Sequence, residues 1–288
     1  MIAFPFITEL EGVLKKYPAD TWGKYENRLK IGGVKITIDG SPQGKTASFT
    51  KPYLTGGPGG EKKWSGELAA PQEVINKALK RVYDLSVPVN FHVNGDGAID
   101  ALIKAHEFAA ADDLTKKPNV TVIHAQFTRE DHIPKYAQYK MRPPFYTLHT
   151  CYFAEAHIAN RGKEQAMYIS PMHDAIDAGL GPTNHTDFVV APLDQMFMLW
   201  SAVNRISRAG EAIGADQRIT PIEGLKSMTI WVAEQYGEQM SKGSLEVGKR
   251  ADLVVLDQNP LKVEVMKIKD IKVVETFKDG KSIYKRSE

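Results

Sequence analysis

Strand-like and helix-like segments alternate through most of this chain, and that alternation limits the folds open to it. "VPVNFHV" reads as a strand, and "GAIDALIKAHEFAAADD" after it carries apolar residues at helical spacing. "NVTVIHAQF" and "REDHIPKYAQYK" repeat the pair, with Pro134 near the start of the helix. Repeated units of this kind require parallel strands joined by crossover helices. The fold class is therefore α/β, as an open doubly wound sheet or a (β/α)8 barrel. About five strands are expected before Ala191. No Gly-x-Gly-x-x-Gly follows any of them, which argues against a dinucleotide-binding sheet.

The series opens at "GGVKITIDGS", where Val34, Ile36 and Ile38 alternate with Lys35, Thr37 and Asp39. Residues 1–30 before it read as amphipathic and irregular, with a helix-like "ITELEGVLKKYP". A loop dense in Gly, Pro, Lys and Thr runs from Ser41 to Leu68, a length that marks a functional or disordered segment. Then come a helix opening at Pro71, a strand end in "MRPPFYTLHTCY", helical segments closing at Gly179 and a short strand in "GPTNHTDFVV". "PLDQMFMLWSAVNRISRAG" is expected as a helix closed by Gly210, its Met196–Trp200 stretch packing in a core. "TPIEGLKSMTIWVAEQYG" is expected as one helix closed by Gly237. The tail changes character. Leu253 to Leu256 reads as a strand, and two alternating runs flank Asp279-Gly280, a strong hairpin signal. The expected division is 1–242 for the α/β part and 243–288 for a small β appendage.

The charge balance of +2 gives no electrostatic case for nucleic acid or an anionic membrane. No apolar run reaches the length of a spanning helix, and Glu9 and Glu11 interrupt the apolar start too early for a secretory signal. Cys151 is the single cysteine, so no intramolecular disulfide is possible and a cytoplasmic location is the expectation.

Of eight histidines, His106 and His132 lie in helices among charged neighbours and are expected to be solvated. His92 and His124 each end an apolar strand and precede a helix. His149 ends "PPFYTLH" in the same way, and His185 with Asp187 follows "GLGPTN". In a parallel barrel such positions form the rim where active sites are built. Any one of these histidines alone reads as a satisfied core residue. As a set they read as a metal site, because buried polar groups are costly and do not cluster by accident. Imidazole nitrogens and carboxylate oxygens suit zinc and similar divalent ions. Lys35, inward on its strand, needs either an ion pair with Asp39 or a modification such as carboxylation to a carbamate.

"GGVKITIDGSPQGKTA", "HVNGDGAIDALIKAHE", "VIHAQFTRED", "ISPMHDAIDAGL", "HTDFVVAPLDQMFMLWSAVNR" and "KGSLEVGKRADLVVLDQNPL" together resemble the amidohydrolase superfamily, in the branch that includes N-substituted formamide deformylases. The resemblance runs from about Leu29 and implies a (β/α)8 barrel flanked by a β-sandwich. It implies hydrolysis of amide, formamide or imide-like C–N bonds with one or two divalent metals, zinc foremost. Carried onto this sequence, Lys35 is the metal-bridging lysine, carboxylated where it bridges. His92 and His124 are the following strand-end ligands, and Asp187 is both ligand and general base. His149 and His185 would contact substrate or oxyanion. Asp39, Lys45 and Thr46 belong to a loop closing over a small-molecule amide, and Asp96 is an orienter or turn former.

No His-x-His occurs in the chain, although the family carries one on its first barrel strand. The resemblance therefore implies a partial (β/α)8 barrel of about five βα units, with an appendage from the β-sandwich. The expected partner is a second chain supplying the missing strands, or another copy of this one. The alternative function is an incomplete fragment or subunit acting as scaffold.

Overall fold

A computed structural model describes residues 1–115 and 119–287. Near the N-terminus β1 (Ile2–Ala3) pairs in parallel with β2 (Lys30–Ile31), and α1 (Leu10–Lys16) lies between them. The main sheet begins with β3 (Val34–Thr37) and continues with β4 (Val89–Val93) and β5 (Val120–His124). It is completed by the short strands β6 (Met141–Arg142), β7 (Pro144–Phe145) and β8 (Thr183–Asn184). Their order is β3-β4-β5-β7-β8, with β6 also on β5, and every pairing is parallel. This row of five positions matches the five strands that the alternation predicts and the partial barrel that the resemblance implies.

Residues 1–6 correct the sequence reading. They run parallel to residues 30–35: Gly32 N–H donates to the Ala3 carbonyl at 2.8 Å, and Lys35 N–H to the Pro5 carbonyl at 2.8 Å. Phe6 forms a parallel bridge with Lys35. The apolar start thus adds a further parallel segment along the β3 edge. It is too short and too broken by Pro5 to show alternation.

Crossovers are α2 (Gln72–Asp84) and α3 (Asp96–Ala109), and after β5 the short α4 (His132–Gln138). Val34, Ile36, Val89, Phe91, Val120 and Val122 share the face that packs on Ile75, Leu79, Ile99 and Leu102 of α2 and α3. The other face, with Lys35, Thr37 and His92, turns toward the barrel interior. His106 and His132 do not sit in solvent. His106 is fully buried, with Tyr83 Oη at 2.7 Å from Nδ1, and His132 Nε2 is 2.9 Å from Asp100. Their charged sequence neighbours occupy other helix faces, so adjacency in the sequence misled.

Past β7 the chain forms α5 (His149–Tyr152), α6 (Ala154–Arg161), α7 (Lys163–Met167) and α8 (Met172–Asp177), then β8 and α9 (Gln195–Asn204). Met196, Met198, Leu199 and Trp200 are all buried. α9 ends six residues before Gly210, because Arg205 takes φ 52° and buries its guanidinium on the carbonyls of Ile169, Ser170 and Ile213. The next helix is two, α10 (Pro221–Met228) and α11 (Ile230–Gln235), broken at Thr229. α10 begins with a capping box between Thr220 and Glu223. In the tail β9 (Leu253–Leu256), β10 (Val273–Lys278) and β11 (Lys281–Lys285) form an antiparallel sheet of their own, turning at Asp279-Gly280.

Candidate metal centre

Register carries the site residues to one edge of the sheet. Lys35 pairs with Asn90, Thr37 with His92, Val93 with His124, and His124 with Phe145. Strict alternation would put His124 on the helix-packed face with Val120 and Val122. His124 and Ala125 instead take φ 73° and 43°, which ends the extended run and lets the ring meet His92. His124 Nε2 and His92 Nδ1 are 3.2 Å apart, and the other His92 nitrogen lies 3.1 Å from the Asn94 amide. From β8, His185 N–H donates to the Phe145 carbonyl at 3.1 Å, and Asp187 follows at φ 52°. The outcome is a compact group: donor atoms of His124, His185 and Asp187 all lie within 4.8 Å of one another.

Charge around this group is tuned by burial. Burial lowers the Lys35 ammonium to about 8, with the Asp187 carboxylate pulling the other way. Burial raises Asp187, opposed by Lys35. His92 falls to about 4 through burial and the Lys35 charge, and His185 to about 3 for the same two reasons first. His124 falls well below the usual range through burial and the neighbouring His185, His92 and Lys35 charges. The histidines are therefore neutral at physiological pH, the form that ligates metals. Asp187 answers the charge of Lys35, where one of the two readings of the sequence pairs it with Asp39.

The donor set fits a divalent ion on two counts. Neutral imidazoles with a carboxylate are zinc-type ligands. In addition, His185 Nε2 is buried with no hydrogen-bond partner, while the Pro144 carbonyl interacts with the same ring. A buried ring nitrogen without a partner is one that a bound cation would satisfy.

The remaining expected residues divide. His149 is not at a strand end but opens α5, four residues past Phe145. Its ring still meets the Tyr146 ring at 4.7 Å, and Tyr146 stacks on His185 at 5.5 Å. Asp39 is buried beneath the long loop, accepting backbone N–H groups from Ser48, Asn94 and Gly95 at 2.8–3.0 Å. It holds the loop from below, although burial raises its carboxyl to about 7. Thr46 Oγ1 accepts from Ser41 N–H at 2.9 Å, and Lys45 Nζ reaches the Thr55 carbonyl, so both stay within the loop. Asp96 does not reach His92; it takes Thr50 N–H and Oγ1–H at 2.9 and 2.6 Å.

Residues the sequence reading passed over are Asn94, Tyr146, Asn184 and His157. Asn184 ties the rim together, donating to Thr147 Oγ1 at 2.8 Å while its Oδ1 accepts from the N–H groups of Thr147 and His185. His157 Nε2 lies 2.6 Å from His149 Nδ1, across the break between α5 and α6, which no spacing in the sequence signals.

A parallel βα sheet that gathers two histidines and an aspartate at its carboxyl edge defines a TIM-barrel-type protein with a metal-competent rim. Its family is equally definite: the amidohydrolase family profile matches residues 15–284, and the chain belongs to that family. An N-substituted formamide deformylase from Arthrobacter pascens is 31% identical over 128 residues, covering 44% of this chain and 24% of that protein. The protein LONG AFTER FAR-RED 3 from Arabidopsis thaliana is 27% identical over 263 residues, covering 89% of this chain and 43% of the relative. Among solved structures, an uncharacterized metal-dependent hydrolase from Pyrococcus furiosus superposes with a TM-score of 0.74 at 26% identity, over 91% of this chain and 51% of the other. The chain thus spans about half or less of the proteins it matches.

Proposed function

We propose that this chain carries the metal-binding rim of a metal-dependent amidohydrolase that cleaves a C–N bond in a small amide, formamide or imide-like substrate. The observation that carries the reading is the convergence of His124, His185 and Asp187 within 4.8 Å, with one imidazole nitrogen unpartnered. A divalent ion held there, zinc by its donor chemistry, supplies carbonyl polarisation and brings a water's pKa toward neutrality.

The chain's own residues do the rest. His124, His185 and Asp187 hold the ion, and His92 braces His124. Asp187, raised by burial, takes a proton from water and returns it to the leaving nitrogen. Lys35, lowered to about 8, keeps an appreciable neutral fraction at physiological pH, the form that would react with carbon dioxide to give a carbamate and release a proton. His149 donates to the substrate oxygen, and the loop with Lys45 and Thr46 forms a fixed wall of the pocket. The formamide preference draws support from the named activity of the Arthrobacter relative. A cytoplasmic location belongs to the same reading, and no helix among the described residues is long and apolar enough to cross a membrane.

The test is metal content. After dialysis against zinc or manganese and removal of loose ions, the purified chain is expected to hold close to one ion per chain. His185→Ala should weaken binding by more than about 100-fold. Metal-free wild-type protein with a thermal midpoint indifferent to added zinc would overturn the reading. It would favour the second one, a subunit or scaffold that needs a partner chain. The absence of any His-x-His supports that alternative.

A further inference from the structure

The His149–His157 pair lies beside the rim, and the proposed hydrolysis leaves His157 without a role. Both rings are buried, nearly coplanar at 13°, with centroids 4.9 Å apart and Nδ1 of His149 only 2.6 Å from Nε2 of His157. A contact that short between two ring nitrogens requires one proton between them. Burial keeps both rings neutral, so each carries one N–H.

Two arrangements satisfy that count. In one, His149 donates from Nδ1 to His157. The remaining His157 proton then sits on Nδ1, which is buried with no hydrogen-bond partner. In the other, His157 donates from Nε2 to His149. His157 Nδ1 is then a bare lone pair, and His149 carries its proton on Nε2. A buried N–H without an acceptor is rarer and costlier than an unsatisfied acceptor. The second arrangement wins.

We propose that His157 is a positioning residue that fixes His149 in the Nε2–H tautomer, so that the rim gains a neutral hydrogen-bond donor suited to a substrate oxygen. The inference deepens the hydrolase reading and rests on it for the donor's purpose, while the tautomer itself stands on the pair's geometry. His149 is well placed to serve as that donor. Its ring meets the Tyr146 ring that stacks on His185, and the His185 charge helps to lower His149. A donor fixed in advance costs no reorganisation when charge develops on the oxygen it faces.

The experiment is two-dimensional nitrogen-15 NMR of the histidine rings in the full chain, with resonances assigned through His149→Asn and His157→Gln. In wild type, both His149 and His157 should show a pyridine-like Nδ1 and a pyrrole-like Nε2. His157→Gln, whose amide still donates to Nδ1, should keep the His149 pattern. His157→Leu should turn it into a mixture of tautomers while circular dichroism stays unchanged. A wild-type His149 protonated on Nδ1 overturns the proposal, as does an unchanged pattern in a folded His157→Leu variant. Should the Leu variant fail to fold, the wild-type spectrum still decides. The correct tautomer in a chain that binds no metal would sink the hydrolase reading and leave this assignment standing.

Discussion

Lys35 sits on the inward face of β3 with its nearest opposite charge on Asp187 and three imidazoles around it. Burial brings its ammonium to about 8, against ~10.4 for a lysine in an unfolded chain. Between those values the unfolded state binds more protons than the folded one, so stability rises with pH from about 8 to about 10. Below pH 8 the cost of keeping that ammonium buried reaches up to about 3 kcal/mol. Lys35→Met is therefore expected to stabilise the metal-free chain at pH 7 in carbonate-free buffer, with the advantage fading by pH 10. Urea denaturation of both proteins at the two pH values measures this, and an advantage that is the same at both contradicts the burial of the charge. At this scale the sequence was legible where a residue's place in a strand decides its surroundings, as for Lys35 and His92. It was not legible for His106 and His132, whose helix faces depend on what packs against them. It was not legible for His157 either, since its partner lies across the break between α5 and α6.

The long segment between β3 and α2 is an ordered lobe rather than a free flap. Phe49 and Tyr53 pack with Phe127, Ile169 and Ile213, and the Arg161 guanidinium lies 3.8 Å over the Phe49 ring while donating to the Lys51 carbonyl. Two carboxylates seat it. Asp39 collects N–H groups from the lobe and from the end of β4, and Asp96, in the first turn of α3, holds Thr50. Gly95 lets the lobe approach, because a Cβ there would stand 1.9 Å from the Ser48 carbonyl. Asp96→Ala removes the two bonds to Thr50 and the ion pair with Arg129. It is expected to cost about 2–3 kcal/mol and to speed amide exchange across residues 48–54, with β4 and β5 unaffected. Exchange in the lobe equal to wild type would show that the aromatic contacts hold it unaided. The strands, α2, α3 and the Asp279-Gly280 hairpin were legible because periodicity and turn chemistry act locally. The stop of α9 at Arg205 and the break at Thr229 were not, since distant carbonyls and packing decide them.

For the molecule as a whole, the row β3-β4-β5-β7-β8 is open: β3 and β8 lie at opposite ends and do not pair with each other. The β3 end is covered by residues 1–6. At the other end β8 pairs with β7 alone among the described strands, and it leads directly into His185 and Asp187. The tail sheet adds exposed apolar side chains on both of its faces, Val254, Val255, Ile283 and Tyr284. Edges and apolar faces of this kind invite pairing. Self-association, or capture of a second chain, is the proposal that follows. Sedimentation velocity from about 1 μM to about 100 μM should find a rising average mass. Val254→Lys with Ile283→Lys should lower it without changing metal content, because the tail sheet is separate from the rim. The two surfaces then separate by outcome. Association lost in the double variant places the contact on the tail sheet, and association kept places it on the β8 edge beside the metal-binding group. A monomer at every concentration removes the proposal and leaves an open barrel edge that is stable in water by itself.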